Sequence, residues 1–193
     1  MRYALPLASA LAILGAAVGA QSAHQPYSGL ETREIAALSA HDSEDLEAGR
    51  GWGLALPAEL NGYPGPLHVL DLAEALELTG AQRDQVQAVF VEMQREAQSA
   101  GAALVAAERA LDGAFSDGTV TGHTLKRLVD AAAEARAALR YVHLSRHLVT
   151  LDILTPAQVE RYAVLRGYAD DPCAAVPDGH NAVMWRLHNG CDG

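Results

Sequence analysis

Leu78-Thr79-Gly80-Ala81-Gln82 and Leu154-Thr155-Pro156-Ala157-Gln158 are two copies of one pattern, and reading them decides the fold. In each, the Thr hydroxyl can accept from the backbone N–H three residues on, while the Gln side chain reaches back to the Thr N–H. Leu78, Thr79 and Gln82, and likewise Leu154, Thr155 and Gln158, are therefore read as structural helix caps. Pro156 falls at the first helical position, where its missing donor costs nothing. Leu154 and Val159 also form a hydrophobic staple; the first copy has Arg83 at the equivalent position and lacks one.

Beyond the first motif, Val86, Val89, Met93, Ala97, Ala100, Leu104, Ala107 and Leu111 recur at intervals of three and four, the period of an amphipathic helix. The pattern predicts a helix from Ala81 to Asp112, roughly 45–50 Å long at ~1.5 Å per residue. Gly113 and Asp117-Gly118 end it and reverse the chain. A second pattern follows, with Thr121 as N-cap and Leu125, Leu128, Ala132, Ala135, Leu139, Val142 and Val149 on one face. It stops near Ile153, and the second motif opens a shorter helix through Arg166, closed by Gly167. Two long helices joined by a short turn lie antiparallel, so the fold class is all-α, a long antiparallel helical hairpin with shorter flanking helices.

The chain divides into four parts: residues 1–20, 21–66, 67–168 and 169–193. The first combines Arg2, an apolar run from Ala4 to Val18 and small residues ending at Ala20, the signature of a secretory signal cleaved before Gln21. An uncleaved anchor is the rival reading, although the run is shorter than the ~20 residues of a spanning helix. Residues 21–66 are broken by Gln25 to Gly29, Gly49 to Gly53 and Asn61 to Pro66. Short helices fit between these breaks, over Glu31–Leu38, Asp42–Ala48 and Leu54–Leu60, making an N-terminal arm that packs onto something longer. A further helical stretch runs from Leu67 to Glu77.

The formal net charge is −10, which disfavours nucleic acid as a partner, because nothing here would neutralise phosphates. No later segment is apolar enough to span a bilayer, so the mature chain is not membrane-spanning. Both apolar stripes are Ala-rich and only 5% of the chain is aromatic, so each layer buries little area. Dimerisation is the simplest remedy for the apolar surface that a lone hairpin leaves in water. Cys173 and Cys191 lie in the tail, and export places them where a disulfide forms, worth on the order of 3 kcal/mol in the chain-entropy model. A Cys/His metal site with His180 and His188 is the alternative, with a spacing that matches no zinc module.

These features resemble the Spy/CpxP-type periplasmic proteins, the LTxxQ family, which includes zinc-responsive and nickel/cobalt-responsive relatives. The resemblance rests on the export signal, the long hairpin and the two motifs, and covers Leu67 to Tyr168. It implies an all-α, cradle-like antiparallel homodimer located in the periplasm. It further implies an ATP-independent chaperone, an adaptor for an envelope-stress sensor, or a heavy-metal sensor. The motif residues are architectural in that family. Spy itself has a strongly basic concave surface whereas this chain is acidic, so clients would be held by a different balance of contacts.

His143 and His147 stand one helical turn apart, so their rings can converge on one Zn²⁺, Ni²⁺, Co²⁺ or Cu²⁺ ion with carboxylates from another helix or subunit. The plainer reading is that both flank the apolar stripe and hydrogen-bond to a partner helix. His180, Met184 and His188 form a second ligand set in the tail, of a softness that suits copper. There is no Gly-rich phosphate loop, Gly-x-Ser-x-Gly elbow or His-Glu-x-x-His helix, which points away from an enzyme. Trp52 and Trp185 lie outside the long helices and are expected to anchor the arm and the tail. The leading expectation is an accessory protein that binds unfolded polypeptide or a sensor partner through a shallow apolar surface and requires no cofactor. The alternative is a heavy-metal-binding sensor or buffer that uses the His pair.

Overall fold

The computed structural model describes residues 26–189 and 191. The expected signal segment and its cleavage point lie outside them. The described residues form α1 (Ala40–Glu47), α2 (Leu56–Glu59), α3 (Pro66–Asp71), α4 (Gly80–Ser116), α5 (Gly122–Ile153), α6 (Pro156–Leu165) and α7 (Ala182–His188), with a 3₁₀ turn at Leu30–Thr32 and no strand. The fold is all-α, and α4 packs along α5 as one long antiparallel hairpin.

Both repeated motifs cap their helices. Thr79 Oγ1 accepts from Gln82 N and Thr155 Oγ1 from Gln158 N, and each Gln reaches back to its Thr N–H, at 3.1 and 2.9 Å respectively. The two boxes also meet. Gln82 Nε2 donates to Gln158 Oε1 at 2.8 Å, and Gln158 Nε2 donates to Gln82 Oε1 at 3.2 Å. The same amide nitrogens donate to Ile153 O and Leu76 O, so each glutamine ties the other's approach segment. Val69, Leu76, Val86, Leu154 and Tyr162 form the apolar cluster at this base, with Val159 packed against it.

Helix α4 runs through Gly113, because a single helical glycine costs only about 1 kcal/mol and Asp117 N still bonds to Gly113 O. The reversal comes at Gly118, whose φ is 64°. Gly118 N and Thr119 N bond back to Phe115 O and Ala114 O, a Schellman end. Gly167 closes α6 in the same way. The stretch from Leu67 is helical only as α3; after Asp71 it continues as turns to Glu77. Ile35 and Leu38 pair across a tight turn instead of joining a helix.

The arm lies along the hairpin from tip to base. Near the tip, Ala36 N donates to Asp112 Oδ1, and Arg109 pairs with Glu34. Further down, Ile35, Leu38, Leu46 and Leu54 of the arm share a core with Ala97, Leu104, Val105 and Leu139. Helix α1 comes so close that a Cβ on Gly101 would sit 2.0 Å from Leu46 O. The arm thus fills much of the seam between the long helices, and His143, His147 and Thr150 of α5 are buried while Val149 stays exposed.

The tail is a small closed unit. Cys173 and Cys191 are joined by a disulfide, and Trp185 Nε1 donates to Pro172 O at 2.8 Å. Val183, Met184 and Leu187 of α7 are exposed.

Two substitutions test this packing by urea denaturation. Gly101→Ala should cost about 2–3 kcal/mol, because the contact is with backbone that cannot swing away. Gln82→Ala and Gln158→Ala should show a coupling of about 1–2 kcal/mol in a double-mutant cycle.

Candidate functional site

A cleft of about 460 Å³ opens where the arm crosses the lower hairpin. Loop residues 49–53 and the start of α3 with its N-cap Gly65 form its two lips, while α4 contributes Phe90 and Met93 and α5 contributes His143 and His147. Glu59, Arg166 and Tyr168 complete it. The walls are mostly apolar, with a few polar groups among them, the usual construction of a binding pocket.

The Gly-Arg-Gly-Trp-Gly lip is held in an unusual shape. Trp52 takes a φ of 44°, a left-handed conformation that costs a side-chain-bearing residue about 1–2 kcal/mol. Its indole N–H donates to Asp42 Oδ1 at 2.9 Å, and the Arg136 guanidinium lies 4.7 Å from its ring centre. Asp42 in turn is the third residue of α1 and closes the capping box with its N-cap, Ser39. Hydrogen bonds from the Ser39 hydroxyl, the Trp52 indole and the Ser39 N–H hold its carboxyl at about 2.

Glu59 is the buried carboxylate of the site, with 7% of its surface exposed. Its Oε1 accepts from Tyr162 OH at 2.6 Å, Arg166 Nε at 3.0 Å and Tyr168 OH at 3.3 Å. Its Oε2 is closed off and has no partner. Burial, and then the hydrogen bond to Glu59, push the Tyr162 hydroxyl far above its ordinary pKa, so it is a donor at neutral pH.

The two helix histidines differ. His147 donates from Nδ1 to Tyr63 O at 2.6 Å, since a carbonyl only accepts; in the neutral ring this leaves the Nε2 lone pair free. His143 is buried and its Nε2 has no hydrogen-bond partner. Burial, and secondarily the nearby His147, depress the His143 pKa below the usual imidazole value. Among the described residues, no three His, Cys, Asp or Glu side chains are gathered so as to hold a metal ion. In the tail, the His180 ring meets Trp185 edge-on at 4.8 Å, Met184 faces solvent, and His188 is the last residue of α7.

Sequence reasoning singled out His143 and His147 but missed Glu59, Tyr162, Arg166 and Tyr168. A Glu inside the apolar stretch Leu54 to Leu60 was the available signal, since a carboxylate there must find donors if the stretch is buried.

No family model, curated protein or solved structure matches the chain. Fold and site define an all-α hairpin protein with a covering arm and an apolar cleft at its base. No helix among the described residues is long and apolar enough to cross a membrane.

The depressed pKa of His143 has a signed consequence. The unfolded chain binds this proton more readily than the native one, so stability is full above about pH 6.5 and falls as the pH drops towards the folded value. His143→Leu should flatten the part of the urea midpoint's pH dependence between pH 7.5 and 5.5 that this residue supplies. An unchanged slope would assign that dependence to other groups.

Proposed function

We propose that this chain is an ATP-independent accessory protein of the periplasm, built like the LTxxQ proteins it resembles. It holds segments of unfolded polypeptide, or of a sensor partner, and performs no catalysis. The observation that carries this reading is the mouth of the cleft. Leu56 is 54% exposed, Leu67 44% and Tyr168 40%, around walls formed by Trp52, Phe90 and Met93. Large apolar side chains grouped at an opening mark a surface that binds something. Tyr141 and Leu148, two turns apart on α5, are exposed elsewhere on the hairpin and suit a homodimer contact.

The protein should suppress aggregation of a reduced, denatured client at near-stoichiometric ratio. Leu56→Asp with Leu67→Asp should cut that capacity about tenfold or more with a much smaller effect on thermal stability, because both side chains are already about half exposed. Absence of suppression across pH and salt would refute the reading.

A second reading, a heavy-metal sensor or buffer, is favoured by the free Nε2 of His147 and the unpartnered Nε2 of His143. Calorimetric titration with Zn²⁺, Ni²⁺ and Cu²⁺ should then show binding that the His143→Ala/His147→Ala double variant loses. Equal binding by the double variant would remove these ligands from consideration.

A further inference from the structure

Two acceptors at the floor of the cleft stand without a donor, beside the unpartnered Nε2 of His143. Glu59 Oε2 accepts from nothing, and in the neutral ring His147 Nε2 carries a lone pair, its Nδ1–H being committed to Tyr63 O. Both atoms flank Gly65: a Cβ built there would lie 3.2 Å from His147 Nε2 and 3.6 Å from Glu59 Oε2. The cations at the rim are already engaged. Arg50 is paired with Asp45 and Glu44, and Arg166 with Glu59. Acceptors are therefore left over beneath an apolar wall, in a chain whose formal net charge is −10.

The complement of such a surface is an apolar body that ends in a compact, donor-rich cation. We propose that the cleft selects apolar polypeptide segments bearing a lysine, with the ammonium seated between Glu59 Oε2 and His147 Nε2 beside Gly65. The neighbouring apolar side chains lie against Trp52, Leu56, Leu67, Phe90 and Met93. This rests on the polypeptide-binding reading above and adds to it a rule of selection.

Lysine suits the geometry better than arginine. Its point-like ammonium rides on a flexible apolar stem that can lie along the walls, whereas a planar guanidinium needs a broad slot. Oε2 is shut off from water, so the ammonium must part Gly65 from the His147 ring to reach it. Gly65 has no side chain to obstruct that movement. The ammonium then supplies the donor that the buried carboxylate oxygen lacks, and the net negative charge of the chain draws basic segments towards it.

The test uses three short labelled apolar peptides, identical except for a central Lys, norleucine or Glu, with binding followed by fluorescence anisotropy on the full protein. The Lys peptide should bind about tenfold tighter than the norleucine peptide, and the Glu peptide more weakly than either. Glu59→Gln should reduce the lysine advantage to about threefold or less. Because Glu59 also ties Tyr162 and Arg166, Gly65→Ala is the second variant. Its added methyl occupies the gap between the two acceptors, and it should abolish the lysine advantage while the norleucine peptide still binds. Equal binding of all three peptides, a preference for Glu, or a lysine advantage untouched by both variants overturns the selection rule and leaves the polypeptide reading standing. Failure of all three to bind overturns both.

Discussion

The reciprocal amide pair between Gln82 and Gln158 is the constraint on which the remaining geometry depends. Each glutamine makes its own capping box, donates to the other glutamine, and donates once more to a backbone carbonyl at the far side of the base. Residues 76 positions apart are thereby joined by bonds that neither motif could make alone. The pair is part-buried, and reduced competition from water strengthens hydrogen bonds of this kind. With the base closed, the register of α4 against α5 is set along the whole hairpin, and with it the height at which His143 and His147 meet the arm.

The arm answers the problem posed by an Ala-rich hairpin. Thin apolar stripes on α4 and α5 bury little against each other, and the arm lays Ile35, Leu38, Leu46 and Leu54 over the seam. Close approach at Gly101 makes that possible, since any side chain there would collide with the α1 backbone. That coverage opens between the glycine-rich lip and Gly65. The cleft is that opening, and the unpartnered atoms of Glu59, His143 and Arg146 are the buried polar side-chain atoms among the described residues that no hydrogen bond satisfies. Polar groups left short inside an otherwise satisfied fold are where a binding function is most economically sought.

What was legible in the sequence was local. Capping boxes, the proline at the start of α6, the helical period and the glycines after each helix are all signals read within a few residues, and the hairpin followed from them. Gly113 misled because one glycine is a weak breaker inside a helix anchored on both sides. The inward turn of His143, His147 and Thr150 was hidden for a different reason. A hydrophobic pattern records which residues avoid water, and these three polar side chains are buried where Tyr63 O accepts from His147 and Arg146 O accepts from Thr150. Glu59 was hidden more deeply still. Its partners Tyr162, Arg166 and Tyr168 stand more than 100 positions away, and only the folded chain brings them to it.

The most direct measurement of the base clasp is the side-chain amide spectrum of the two glutamines by NMR. The structure requires a through-space cross-peak between the Gln82 and Gln158 amide protons and exchange with water slowed well below that of surface glutamines such as Gln87 and Gln98. Free exchange at both positions with no cross-peak would mean that the two motifs cap their helices independently, and the register of the hairpin would need another explanation.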